Sequence, residues 1–191
     1  HYPFWRCHFK TMKILCIDIG NTNLNYAIVE KMEVTDANSF PTKRLKKDLH
    51  YIKEFHTLIE KHAVSAVSFC SVVPDLNNRL RTLLNLEIPI YQLTNQTLKG
   101  LDLNYPKPDE VGHDRIANAL TAQTYFSVPA IIIDLGTAIT LDLVSDKGYE
   151  GGIIAPGFEI MTRYLNEQTA LLPELDNEAL GSVKGSFGKS T

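Results

Sequence analysis

One short pattern occurs twice in this chain, and it limits the available folds more than any other feature. Asp18-Ile-Gly20-Asn21-Thr22 and Asp134-Leu-Gly136-Thr137-Ala138 both read D-x-G-[N/T]. Each copy ends a short apolar run (Lys13 to Asp18, and Pro129 to Asp134) and leads into a second strand-like run. A strand-turn-strand unit that recurs in the same setting is a module used twice. Such modules with intervening helical patterns predict an α/β fold with a mixed sheet and covering helices.

The pattern between and around the copies fills in this outline. Short apolar runs bounded by turn residues predict strands at Lys13–Asp18, Leu24–Glu30, Glu33–Ala37, Ala63–Val73 and Ile88–Leu93. Asp48 is a candidate N-cap for a helix whose apolar positions Leu49, Ile52, Phe55 and Ile59 share one face. Pro74 opens a second helix carrying Leu76, Leu80, Leu83 and Leu84. Thr94 to Val111 is polar and turn-rich, which predicts a long functional loop. A helix over Gly112–Phe126 follows, then strands at Pro129–Asp134, Ala138–Val144 and Tyr149–Ala155, and a helix from Phe158 to Leu165. The remainder reads as loop with a helix around Asn177 to Val183.

Composition removes several classes of function. The formal net charge of −3 argues against a nucleic-acid partner held by bulk charge. Apolar residues at 44% and charged residues at 21% exclude a disordered or collagen-like chain. Cys7, Cys16 and Cys70 are odd in number and form no CxxC pair, so neither a disulfide framework nor a zinc ribbon is indicated. Cys16 and Cys70 sit in apolar runs and read as buried, inert thiols. No apolar stretch approaches the roughly 18 residues of a membrane span. A cytoplasmic protein is the expectation.

Three segments carry chemistry. In the first copy of the repeat, Gly20 allows a sharp turn that admits a phosphate close to the main chain. Asn21, Thr22 and Asn23 can donate to phosphate oxygens. Asp18 repels phosphate directly, so its sensible role is to hold a bridging cation. A single copy would read as a hairpin turn satisfying its own backbone. Two copies facing each other can clamp a nucleotide. The Gly188-Lys-Ser-Thr191 ending lacks the first glycine of a P-loop, because Val183 stands there.

The second segment is Gly112-His113-Asp114-Arg115 at a helix start. Asp114 is either a residue favoured by the helix dipole or a base for a substrate hydroxyl. Arg115 is either a surface ion pair or a bidentate clamp for a carboxylate or phosphate. His113 reads as an exposed bystander. The third segment is Gly151-Gly-Ile-Ile-Ala-Pro-Gly157, which reads equally as the wall of a small-molecule pocket or a glycine-weakened edge strand. His50, His56 and His62 recur at a spacing that puts them on different helix faces, so they indicate no metal site. The basic run Lys43-Arg44-Leu-Lys46-Lys47 reads as a solvated loop.

Taken together, Asp18-Ile-Gly-Asn-Thr-Asn23, Tyr105 ahead of Gly112-His-Asp-Arg115, Asp134-Leu-Gly-Thr-Ala138 and the Gly151 to Gly157 segment resemble the type III pantothenate kinases. These belong to the superfamily of acetate and sugar kinases, heat-shock ATPases and actin. The resemblance runs from Met12 to Thr191. It implies two ribonuclease H-like domains around a cleft, expected at 12–108 and 109–191. It implies ATP-dependent phosphorylation of pantothenate to 4′-phosphopantothenate, the entry step to coenzyme A.

By the same resemblance, Asp18, Ile19, Gly20, Asn21, Thr22, Asn23, Leu24 and Asn25 form the first phosphate loop, with Thr137 also on ATP. Asp114 is the proton acceptor. Tyr105, Gly112, His113, Asp114, Arg115 and Thr191 contact pantothenate, in a site completed across a homodimer. Asp134 binds a monovalent cation, potassium or ammonium, and Mg2+ accompanies ATP. Two other readings stay open: a transcription accessory protein on the same scaffold, and another small-molecule kinase of the superfamily. Residues 1–11 read as a non-native or upstream extension. The second sheet is expected to be cut short at the C-terminus, leaving the fragment unstable or inactive alone.

Overall fold

In the computed structural model, described for residues 12–47, 50–84 and 87–172, the two modules appear as two separate sheets. The first has the order β3-β2-β1-β4-β5, built from β1 (Lys13–Ile19), β2 (Asn23–Glu30), β3 (Glu33–Pro41), β4 (Ala66–Ser71) and β5 (Ile90–Gln92). Strands β1, β2 and β3 are antiparallel neighbours, whereas β4 and β5 run parallel to β1. The parallel strands follow helical crossovers, as parallel pairing requires. The crossovers are α2 (His50–His62) and α3 (Pro74–Leu84), preceded by a short α1 (Thr42–Lys47).

Alternation explains which face packs. Leu15, Ile17 and Ile19 of β1 and Leu24, Tyr26 and Ile28 of β2 point to one side and are buried. They meet Ile52, Phe55 and Ile59 of α2 and Leu76, Leu80 and Leu84 of α3 in one core. The opposite face is lined by small and polar groups. Cys16, Asp18, Asn25, Ala27, Ser68 and Cys70 border a cavity of about 630 Å3 there.

The second sheet has the order β6-β7-β8, from β6 (Ala130–Leu135), β7 (Ala138–Ser145) and β8 (Gly148–Pro156), all antiparallel. Strands β6 and β7 stand where β1 and β2 stand in the first sheet. Asp18 and Asp134 are each the penultimate residue of their strand, opposite Asn25 and Thr140 respectively. Helix α4 (His113–Tyr125) lies between the sheets and touches β4, β6, β7 and β8. Its Ile116 and Ala119 join Leu101, Val111, Val144 and Tyr149 in a smaller core. The loop from Leu93 to Val111 packs on that core through Leu98, Leu103 and Tyr105, and holds a short 3-10 helix at Pro108–Glu110. Helix α5 (Phe158–Gln168) follows β8.

Several expectations need correction. The basic run 43–47 is helical, because Leu45 turns inward and is 1% exposed. Strand β3 continues to Pro41 through pairing with Asn23 and Leu24. Strand β4 starts at Ala66, since Ala63 takes a left-handed turn with φ 51°. Helix α5 runs to Gln168, past the loop expected from Asn166. Cys16 and Cys70 are half-buried rather than buried, because they face the cavity. The Asp48 cap, the helix expected at 177–183, Thr191 and residues 1–11 lie outside the described residues. No helix of the described residues is long and apolar enough to cross a membrane.

Candidate active site

The two copies of the repeated turn meet. Thr22 Oγ1 lies 2.8 Å from Thr137 Oγ1, a hydrogen bond between the loops of separate sheets. Each loop is closed by its glycine. The Gly20 N–H donates to the Asn23 carbonyl at 3.0 Å, and the Gly136 N–H donates to the Ala138 carbonyl at 3.0 Å. The side chains expected to face phosphate, at Asn21, Thr22, Asn23, Asn25 and Thr137, are all exposed, while Ile19 and Leu24 anchor the first loop in the core. Thr42 supports that loop from beneath. Its Oγ1 donates to the Gly20 carbonyl at 2.7 Å and its N–H to the Thr22 carbonyl at 2.8 Å. The second loop rests on Gly157, whose N–H donates to the Thr137 carbonyl at 3.0 Å. A Cβ at Gly157 would collide with the carbonyls of Gly136 and Thr137, so the end of the glycine-rich segment is shaped by this loop.

Three carboxylates converge around the junction. Asp18 is half-buried and accepts from Asn25 Nδ2 at 3.2 Å and from the Cys70 thiol at 3.3 Å. Burial and the charge of Asp18 together push the Cys70 thiol far up, which keeps it protonated and a donor. Asp134 is exposed and accepts from Asn118 Nδ2 at 3.1 Å. Asp114 is half-buried at the start of α4, and its Oδ1 accepts from the Arg115 N–H at 2.8 Å. That oxygen lies 2.5 Å from where a Cβ on Gly112 would be, so the glycine makes room for the folded-back carboxylate. Burial raises the Asp114 pKa, the Arg115 N–H opposes this, and the charges of Asp18 and Asp134 raise it further. A carboxylate shifted toward neutrality in a cleft is suited to taking a proton.

The neighbours of Asp114 are held from below. His113 is half-buried rather than an exposed bystander, with Nδ1 3.0 Å from the Ser71 carbonyl at the end of β4. Arg115 reaches across to Asp142 on β7, donating from Nη2 at 2.6 Å and from Nε at 2.9 Å. It therefore makes an ion pair, but one buried under the site rather than on the surface. Tyr105 lies against Tyr149 in an edge-on contact with ring centroids 6.3 Å apart. A Cβ on Gly151 would come 3.1 Å from the Tyr105 ring.

Sequence reasoning missed Thr42, Cys70, Asn118, Asp142 and Tyr149. Only Asp142 left a trace, as a charge at an inward position of the alternating run Thr140-Leu-Asp142-Leu-Val144. Among the described residues no cluster of three or more histidine, cysteine or acidic side chains is arranged to hold a metal by itself. Mg2+ is commonly held by one or two carboxylates together with substrate phosphates, and the donors here fit that mode.

The chain is similar to known proteins in both sequence and fold. The family model for type III pantothenate kinase matches residues 14–191. The type III pantothenate kinase of Thermosipho melanesiensis is 34% identical over 186 residues, covering 94% of this chain and 72% of the relative. That of Akkermansia muciniphila is 38% identical over 177 residues, covering 92% and 70%. That of Methylacidiphilum infernorum is 34% identical over 165 residues, covering 84% of this chain and 57% of the relative. Among solved structures, the Aquifex aeolicus Ppx/GppA phosphatase aligns with a TM-score of 0.54 at 14% identity, covering 88% of this chain and 59% of that one. A Campylobacter jejuni protein assigned to the Baf family of transcriptional activators aligns with a TM-score of 0.50 at 22% identity, covering 85% and 68%. At such identities these two likenesses speak for the fold alone.

Proposed function

Because the chain belongs to the type III pantothenate kinase family, whose reaction is ATP-dependent phosphorylation of pantothenate in coenzyme A synthesis, we propose that its two D-x-G loops clamp one ATP while Asp114 accepts the proton of pantothenate. The observation that carries this reading is the contact between Thr22 and Thr137, which joins the repeated loops beside the Asp114 carboxylate.

In the proposed reaction, the pantothenate hydroxyl oxygen forms a bond to the γ-phosphorus of ATP. The bond from that phosphorus to the bridging oxygen breaks, and ADP leaves with the electron pair. The hydroxyl proton passes to Asp114. Such transfers depend more on positioning and charge than on strong deprotonation, which suits a carboxylate base. Asn21, Thr22, Asn23, Asn25 and Thr137 would donate to ATP oxygens, and Asp18 would face the Mg2+ that travels with ATP. Tyr105, Gly112, His113 and Arg115 would border pantothenate, with Thr191 added across a homodimer. Asp134 would take the monovalent cation, potassium or ammonium. The proposed division at 12–108 and 109–191 gives each unit one loop.

Phosphopantothenate formation with ATP and Mg2+, in potassium against sodium, tests this reading. Product in potassium, with a sharp fall in sodium that Asp134→Asn abolishes, is expected. Phosphorylation of a sugar or acetate, with none of pantothenate, would overturn the substrate assignment.

A further inference from the structure

Asp142 is a charged side chain with no exposed surface, set in the middle of β7. A carboxylate in that position needs partners for its charge and its lone pairs. It receives Arg115 Nε at 2.9 Å on Oδ1 and 3.2 Å on Oδ2, Arg115 Nη2 at 2.6 Å on Oδ1, and the Tyr149 hydroxyl at 2.8 Å on Oδ1. The Arg115 guanidinium also lies 6.0 Å from the centre of the Tyr149 ring. Gly152, the β8 residue paired with Asp142, completes the seat. A Cβ there would come 2.6 Å from both Arg115 Nη2 and Asp142 Oδ1. Two strands and one aromatic ring therefore leave the guanidinium a single orientation.

That orientation has a consequence for the site. Arginine carries five N–H donors in a planar fork. Asp142 uses the Nε and Nη2 edge, so the edge bearing Nη1 is left for another acceptor. Arg115 follows Asp114 directly in the chain, in the first turn of α4. A planar fork held rigidly is matched to a carboxylate, which it binds through two parallel hydrogen bonds.

We infer that Asp142, itself fixed by Tyr149, is a positioning residue that locks Arg115 so that its free edge receives the carboxylate of the phosphoryl acceptor. The inference rests on the proposed role of Arg115 toward pantothenate. Asp142 touches no substrate. It acts by denying Arg115 its other rotamers, so the acceptor meets a fork already in place.

The test compares kcat/KM for pantothenate and for pantothenyl alcohol, which has the same reacting hydroxyl and no carboxylate. It uses the full chain, with Arg115→Ala, Asp142→Asn, Tyr149→Phe and the Arg115→Ala/Asp142→Asn double variant. The expected result is a preference for pantothenate that Asp142→Asn lowers on the order of 10- to 100-fold. Turnover of the alcohol should change little. Tyr149→Phe should lower the preference in the same direction by less. In the Arg115→Ala background, Asp142→Asn should lower it no further, as for two residues acting as one unit.

A normal preference in Asp142→Asn beside a lost one in Arg115→Ala would overturn the inference, as would equal losses for both acceptors. Should Asp142→Asn fail to fold, Tyr149→Phe decides: an unchanged preference overturns the inference and a reduced one supports it. An unchanged preference in Arg115→Ala would instead remove the role proposed for Arg115, and with it the inference, while leaving pantothenate phosphorylation itself standing.

Discussion

The two sheets carry the same turn on unlike foundations. Beneath the first loop lies a core closed by α2 and α3, where Leu15, Phe55, Leu76 and Leu80 are at most 1% exposed. Beneath the second lies a smaller core, and the outward positions of its strands are apolar. Ile131, Ile133 and Leu135 of β6 and Ile153 of β8 are each at least 60% exposed. Among the described residues, α4 covers one side of this sheet and those outward positions meet solvent. The turn geometry is therefore local. Glycine, a flanking strand pair and one supporting contact make it on either sheet, whereas the depth of the core decides how much each strand contributes to stability.

The helix joining the halves should show the largest effect. Asp114→Asn should lower kcat by about 100-fold or more, the usual share of a general base, with binding of ATP and pantothenate retained. Steady-state kinetics beside equilibrium binding check this. The next effect is in stability and separates the two sheets. Phe55→Ala, in the deep core, should cost about 3–5 kcal/mol. A denaturant midpoint reads that loss, and a small one would break the comparison.

The pH profile sharpens the picture at the junction. Asp114 must be ionised to accept a proton, and its pKa is raised by burial and by the charges of Asp18 and Asp134. Activity should therefore fall with decreasing pH above the ordinary carboxylate range, as Asp114 becomes protonated. Asp18→Asn removes one of the negative charges, which lowers the Asp114 pKa. The acid limb of kcat/KM should then move to lower pH, whatever happens to its height; an unmoved limb would show that Asp18 and Asp114 do not communicate. The smallest effect is Ile133→Ser on the open face of β6, expected within about 0.5 kcal/mol in the same denaturant assay. A loss as large as that of Phe55→Ala would show that this face is covered in solution.

What was legible in the sequence follows the reach of its signals. The repeat gave both loops because strand, glycine and following strand are adjacent in the chain. The helix of Asp114 was legible from local periodicity and its glycine start. The seat of Arg115 was not, because Arg115, Asp142 and Gly152 come from a helix and two strands, and only the folded sheet brings them together. Gly152 looked like a weak point in a strand, yet its missing side chain is the space the ion pair occupies. Thr42 and Cys70 escaped for a related reason. Each supports the first loop from a neighbouring element, and neither residue type signals that role on its own.

Both copies of the turn are proposed to act on one nucleotide. Equilibrium binding of ATP to Thr22→Val and Thr137→Val tests it most directly. Each substitution removes one hydroxyl from the contact between the loops and keeps the side-chain shape. Both substitutions should weaken ATP by roughly tenfold, the loss of a hydrogen bond to a charged group, and leave pantothenate binding unchanged. Unaltered ATP affinity in Thr137→Val, beside a loss in Thr22→Val, would contradict it.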